Sequence, residues 1–400
     1  MSLETQPKMF IVPPENLVLP KILSSRRIAR ILLFFALSIF LLAAPIQVVR
    51  AQSVFSTISS GIGTTPYRLA AGSGNVYVTN VGGTSLSVIS SSSNTVTSTV
   101  NLPSSPNGIA FDSTNGNIYA TLPSSNSVAV ISSSSNNLVT TIPVGSGPRG
   151  IAFDSSNGYL YVANLQSNTV SVIDGSTNKV VANVTIGTVS ASPRGVLYDP
   201  SNQKVYVSNR DSNTLSIYSG TSLLGAITVG AGPLDMAFDS ANGDIYVADQ
   251  SGNNVTVVSG SATSVVATIS VGSTPFGAAY DSTDGDIFVT NQGDNTVSVI
   301  SGSSNSVVET LSVGNSPAGV AFDPANGNIY VAISGSNSVQ VLSASGSPPA
   351  STSSTSISSP STSAGSSSSS SSSFSLNYLA VVAIVSLVIA ATFVAVNRKK

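Results

Sequence analysis

Residues 147–186 read GPRGIAFDSSNGYLYVANLQSNTVSVIDGSTNKVVANVTI, and the fold follows from how this run divides. Four short segments are rich in β-branched and aromatic residues and bounded by Gly, Asn, Ser or Asp. They predict strands over Gly150–Asp154, Tyr159–Ala163, Thr169–Ile173 and Val180–Ile186. Asn157-Gly158, a dipeptide that readily takes positive φ in a hairpin, joins the first two.

The run repeats. A proline returns at positions 66, 106, 148, 193, 233, 275 and 317, at spacings of 40, 42, 45, 40, 42 and 42. Seven units of this period, each one four-stranded sheet, predict an all-β, seven-bladed β-propeller. In five of the seven units the second strand ends in one phrase: YVTN at 77–80, YVAN at 161–164, YVSN at 206–209, YVAD at 246–249 and FVTN at 288–291. Its aromatic and its Val point to opposite faces of a sheet that has a neighbour on each side, so both are apolar. The closing Asn suits the turn that follows, where it bonds local backbone and tolerates left-handed φ. No residue of the phrase is expected to be catalytic. The seventh unit has three strands, at 319–323, 328–332 and 338–342. The segment 54–62 reads like a fourth strand, so the N-terminal strand is expected to complete the last blade and remove an exposed edge.

The ends of the chain differ from the middle. Residues 31–46, ILLFFALSIFLLAAPI, follow Lys21, Arg26, Arg27 and Arg30 and precede Val49 and Ala51 at small-residue cleavage positions. Residues 1–51 therefore read as a signal peptide, with an uncleaved signal anchor as the alternative. Residues 52–346 are the propeller. Residues 347–375, rich in Ser, Thr and Pro with eight serines at 366–373, read as an extended stalk. Residues 376–396 carry no charge and are long enough for a C-terminal transmembrane helix. Residues 397–400 form a basic cytoplasmic tail. The expected location is the cell membrane, single-pass, with the propeller outside.

Composition narrows the chemistry. The chain has no Cys and no His, and only 8% of its residues are charged. Disulfides are excluded, as are Ser-His-Asp and Cys-His catalytic sets and histidine metal sites. Residues 52–346 hold six basic and fifteen acidic side chains, a net charge of −9, which argues against nucleic acid as a partner. Glu309 is the one Glu of this region, so no Glu pair exists for acid–base work. Few groups change charge between neutral and acidic pH, which suits an acidic exterior.

The consensus PxGIAFDxxNGxIYVANxxSNTVSVIxxxxNxVVxTIxVG resembles the YVTN-repeat, or surface-layer-type, β-propellers over 52–346. Unit 1 lacks the FD element, unit 2 has YATL and unit 7 has YVAI in place of the phrase. The resemblance implies a propeller on the outer face of a prokaryotic cell, frequently archaeal, and implies little about chemistry. Related propellers include lactonases, lyases and quinoprotein dehydrogenases.

Propeller ligands bind where the channel opens, beside the loops that enter the first strand of each blade and those that join its second and third strands. The two residues after each proline are Tyr67-Arg68, Asn107-Gly108, Arg149-Gly150, Arg194-Gly195, Leu234-Asp235, Phe276-Gly277 and Ala318-Gly319. Five carry Gly in second place; units 1 and 5 replace it with a charge. Tyr67, Arg68, Asn107, Arg149, Arg194, Asp235 and Phe276 are therefore the candidate ligand site, with Leu234 as added apolar surface. Arg149 and Arg194 are the bidentate donors to an anionic or sugar-like ligand. The alternative is a plain Arg194–Asp235 surface ion pair. The recurring Asp112, Asp154, Asp199, Asp239, Asp281 and Asp323 read as turn caps. Asp281, Asp284 and Asp286 crowd one hairpin where Ca²⁺ is conceivable, but they lack the alternating calcium-loop pattern, so no metal or other cofactor is assigned. Asn183 and Asn254 begin N-x-T sequons and are candidate glycosylation sites. The expectation is a non-catalytic, membrane-anchored surface module, an envelope component or adhesion-like binder of a cell-envelope protein or glycan. The alternatives are a lactonase-type enzyme outside the cytoplasm and a passive scaffold.

Overall fold

In the computed structural model, residues 52–187 and 191–343 are described. They form seven four-stranded antiparallel sheets arranged as the blades of a propeller. Blade 3 runs Pro148–Asp154, Tyr159–Asn164, Thr169–Asp174 and Lys179–Thr185, strands a to d. Strand a thus starts at the proline itself, two residues earlier than the sequence suggests. The seventh sheet contains Pro317–Asp323, Asn328–Ile333 and Ser338–Ser343, and Val54–Ile58 pairs antiparallel with the last of these. The leader, the Ser-rich stretch and the apolar run 376–396 lie outside the described residues. Among the described residues no helix is long and apolar enough to cross a membrane.

The core is not one cluster but seven, each between two neighbouring blades. The repeated phrase builds both sides of each interface. In NVYVTN of blade 1, Tyr77 packs in the cluster shared with blade 2, while Val76 and Val78 pack in the one shared with blade 7. All three are fully buried. The phenol end latches blades together: Tyr119 of blade 2 donates to Asn178 Oδ1 of blade 3 at 2.8 Å, and Tyr246 of blade 5 to Asn305 Oδ1 of blade 6 at 2.6 Å. The same latch joins blade 7 to blade 1, through Tyr330 and Asn94.

The third residue of the phrase is a second latch. Thr79 Oγ1 donates to the Asn107 carbonyl at 2.9 Å, Thr121 to the Arg149 carbonyl at 2.7 Å and Thr290 to the Ala318 carbonyl at 2.6 Å. The fourth residue departs from the expectation of a turn former. Asn80, Asn164, Asn209 and Asn291 are fully buried, and none has positive φ. Each sends Nδ2 to hydroxyls five and seven residues on; Asn164 reaches Thr169 Oγ1 at 3.1 Å and Ser171 Oγ at 2.9 Å. The phrase ends in Asn because the strand b–c hairpin encloses two hydroxyls that want a donor, not because the turn needs left-handed backbone.

The glycine two places after five of the seven prolines has its cause in the ring. A Cβ on Gly150 would lie 2.2 Å from the Arg194 carbonyl oxygen, and one on Gly108 would lie 2.0 Å from that of Arg149. Innermost strands of neighbouring blades approach too closely for a side chain there, so the constraint comes from the ring rather than from the turn.

Candidate functional site

The loops at the start of strand a surround one end of the channel. The residue before the proline is left-handed in six blades, including Thr65 (φ 52°), Ser192 (53°), Thr274 (54°) and Ser316 (54°). Such backbone is costly for non-glycine residues, about 1–3 kcal/mol each, and is held by its surroundings. The carbonyl of each of these residues accepts from the first N–H after the repeated phrase. Arg210 N donates to Ser192 O at 3.1 Å, Gln250 N to Gly232 O at 2.9 Å and Gln292 N to Thr274 O at 3.0 Å. The bond joins the a-entry loop to the b–c loop and carries Arg210, Gln250 and Gln292 over the channel.

Together these loops line a cavity of about 240 Å³. One side is cationic and polar, with Asn107, Arg149, Arg194 and Arg210 from blades 2 to 4. The other, from blades 1, 5 and 6, mixes the half-buried Tyr67 and the buried Leu234 and Phe276 with the amides of Gln250 and Gln292. The Tyr67 and Phe276 rings meet edge to face, 5.1 Å between centroids and 63° apart. Leu234, Phe276, Ala318 and Ala332 make an eighth apolar cluster beneath them.

Arg68 does not join the cationic side. It crosses the channel from blade 1 to pair with Asp235 of blade 5, its guanidinium 4.6 Å from the Phe276 ring centroid. A second cavity, of about 180 Å³, lies along the inner strands, and both Arg68 and Asp235 line it. The pair therefore divides mouth from channel. This corrects the alternative in which Asp235 neutralises Arg194: Asp235 faces inward and is claimed by Arg68.

Arg149 and Arg194 have no ion pair among the described residues, and the Nε of each is buried without a hydrogen-bond partner. Burial lowers the Arg194 pKa first, and repulsion from Arg149 and Arg210 adds to it. Arg210 lies 3.8 Å from Asp211, an exposed contact of little strength. Two half-buried, mutually repelling guanidiniums facing an open cavity form a site short of negative charge.

The structure thus brings Tyr67, Arg68, Asn107, Arg149, Arg194 and Phe276 around one cavity, with Asp235 at its floor. Reading only the proline loops missed Arg210, Gln250 and Gln292. Comparing the residue after each repeated phrase would have found them. The recurring aspartates lie at the other end of strand a. Asp281 Oδ1 accepts from Thr283 N at 2.8 Å, and Asp112 Oδ1 accepts from Thr114 N at 2.8 Å, each capping its own turn. Among the described residues no three His, Cys, Asp or Glu side chains gather as a metal site. Asn183 is exposed on an outer strand and accepts from Ser171 Oγ at 2.6 Å. Asn254 is half-buried, and its Nδ2 donates to the Gly252 carbonyl at 3.2 Å.

Comparison with known proteins bears on the chemistry. The family described as "Lactonase, 7-bladed beta-propeller" matches residues 132–275, the span that carries Arg149, Arg194, Arg210 and Asp235. No curated protein sequence matches the chain. Among solved structures, a streptogramin B lyase is similar at TM-score 0.63 and 16% identity, over 73% of this chain and 97% of that one. A hydrazine synthase from Kuenenia stuttgartiensis is similar at TM-score 0.63 and 18% identity, over 69% and 95%. An inactive His→Ala variant of virginiamycin B lyase from Staphylococcus aureus, solved with quinupristin, is similar at TM-score 0.64 and 14% identity, over 73% and 99%. At these identities the structures speak to the fold alone. The lactonase match overturns the non-catalytic expectation and points to an enzyme-type propeller. That expectation leaned on missing His, Cys and paired Glu, which exclude particular mechanisms rather than catalysis by Arg and Asp.

Proposed function

We propose that this chain is an enzyme-type propeller that takes a small anionic substrate at the mouth of its channel, with cyclic-ester hydrolysis as the reaction class. The observation that carries it is a pair of half-buried arginines without an ion pair among the described residues, Arg149 and Arg194, facing the 240 Å³ cavity within the span the lactonase family matches. Their planar donor forks suit a carboxylate or phosphate on the substrate, and the negative charge that grows on a carbonyl oxygen under attack. Asp235 is the one carboxylate among the residues lining either cavity. Asp235 borders the second cavity rather than the mouth, so the attacking water sits at the floor between the two: with Oδ2 held by Arg68, Oδ1 takes a proton from that water as its hydroxyl adds to the ester carbon. The ring C–O bond then breaks, and the ring oxygen receives that proton. A chain without histidine cannot borrow the histidine on which the virginiamycin B lyase depends.

The leader, the Ser/Thr/Pro stretch and the 376–396 apolar run support display of this site outside the cell, as an anchored component of the envelope. The test is turnover of a panel of small anionic lactones by the full chain. Arg149→Ala/Arg194→Ala should lower kcat/KM by at least about 100-fold, and Asp235→Asn should abolish turnover while substrate still binds. No turnover of any lactone would remove the reaction class. Equal rates in the wild type and the arginine variant would remove the site.

A further inference from the structure

The mouth is divided between two chemistries, and both sides face the same space. Arg149, Arg194 and Arg210 stand on one side; on the other the half-buried Tyr67 ring, backed by the buried Leu234 and Phe276, stands beside Gln250 and Gln292. A site for a wholly polar anion has no use for the second side, which replaces water on the ligand with ring faces and edges. The floor is closed by the Arg68–Asp235 pair, so a ligand lies in the mouth rather than running down the channel. At about 240 Å³ the mouth falls short of the ~300 Å³ at which sites for drug-sized ligands begin, which leaves room for one ring and one head group. Two arginines lack any ion pair among the described residues, and the third is shared with an exposed aspartate, so the head carries two negative charges more favourably than one.

We infer that the mouth selects a single-ring apolar dianion of the aryl phosphate or aryl dicarboxylate class. Its head lies on Arg149 and Arg194, and its ring lies against Tyr67, which Phe276 supports from behind. This rests on the mouth being the substrate site, and adds that the Tyr67 ring, which covers the packed Leu234 and Phe276, is also a ligand surface.

The test is calorimetric titration of the full chain with phenyl phosphate, inorganic phosphate and benzyl alcohol. Phenyl phosphate should bind at least about tenfold more tightly than inorganic phosphate, because the ring leaves water only in the first. Benzyl alcohol alone should bind far more weakly than either. Tyr67→Ala, at a half-exposed position, should bring the two phosphates within about threefold by weakening phenyl phosphate alone. Phe276→Leu, which keeps the buried volume filled, should reduce the preference in the same direction. Arg149→Ala/Arg194→Ala should weaken both phosphates together. Equal affinity of the two phosphates for the wild type overturns the aryl assignment and leaves the anion site standing. A preference that survives both ring variants overturns it as well. If neither phosphate binds, the anion site and the aryl assignment fall together.

Discussion

The two ends of strand a tell opposite stories. At the end away from the mouth, six blades do one thing: Asp112, Asp154, Asp199, Asp239, Asp281 and Asp323 each accept, through Oδ1, the N–H two residues on. At the mouth, the residues after the proline are Tyr-Arg, Asn-Gly, Arg-Gly twice, Leu-Asp, Phe-Gly and Ala-Gly. The first end is bound to its own turn and to the neighbouring blade, so every copy must solve the same problem. The second faces open space and is free to differ. In a repeat protein, sameness reports on the ring and difference reports on what the ring holds.

Substitutions can break that comparison. The largest effect is expected at the uniform end. Tyr119→Ala, which removes a fully buried ring and its latch to Asn178, should cost about 3–5 kcal/mol in denaturant unfolding. Tyr119→Phe, which loses only the latch, should cost about 1 kcal/mol. A loss from Tyr119→Ala no larger than that from Tyr119→Phe would mean that blade interfaces are not where stability lies.

Asp249 tests the comparison from the other side, as a departure that lies beneath the mouth and not in it. It stands where four other blades carry the buried Asn, accepts from Thr256 Oγ1 at 2.6 Å, and is fully buried. Burial pushes its carboxyl up to about 7, against about 4 in an unfolded chain. The folded protein therefore keeps a proton that the unfolded chain gives up. The stability is whole below about pH 4 and drains away as pH rises through about 7. Asp249→Asn restores the repeat and offers Nδ2 to the buried Asn254 Oδ1, which lacks a donor. It should stabilise by about 2–4 kcal/mol at pH 8 and by almost nothing at pH 4, in paired thermal melts. A gain independent of pH would refute the titration.

Smaller again, Asp112→Ala should cost about 1–3 kcal/mol by orphaning a turn N–H. Equivalent losses are expected at Asp154 and Asp199, which share its geometry. Smallest of all in stability is Arg149→Ala/Arg194→Ala. Removing two charges that repel each other should leave the melting temperature unchanged or slightly raised, within about 0.5 kcal/mol, while anion affinity collapses. A marked loss of stability there would make the arginines part of the framework and erase the distinction between the two ends.

Much of this was legible in advance. Proline spacing announced seven sheets, and Tyr77 and Val78 took opposite interfaces because a strand alternates its faces. The recurring aspartates read correctly as caps, since a residue needed once per blade serves the blade. Convergence of the proline loops was also readable, because equivalent positions in a ring must meet. Partners across the ring were not: Arg68 and Asp235 are 167 residues apart and in non-adjacent blades, so neither spacing nor period pairs them. The buried Asn was misread because a residue at the end of a strand resembles a turn former until its two enclosed hydroxyls are seen. The likeness to an enzyme-type propeller family was hidden for a different reason. An inventory of missing residue types rules out familiar catalysts and is silent on arginine and aspartate.

The Arg68–Asp235 bridge has one more consequence. The other hydrogen bonds described between blades join neighbours on the rim, like staves held in a hoop. This one is a spoke, and a spoke has no length until the wheel is round. It cannot close in a half-translated or partly opened ring, where blade 1 and blade 5 have no fixed separation. Its formation therefore marks the moment at which seven separately stitched sheets become one object with an inside.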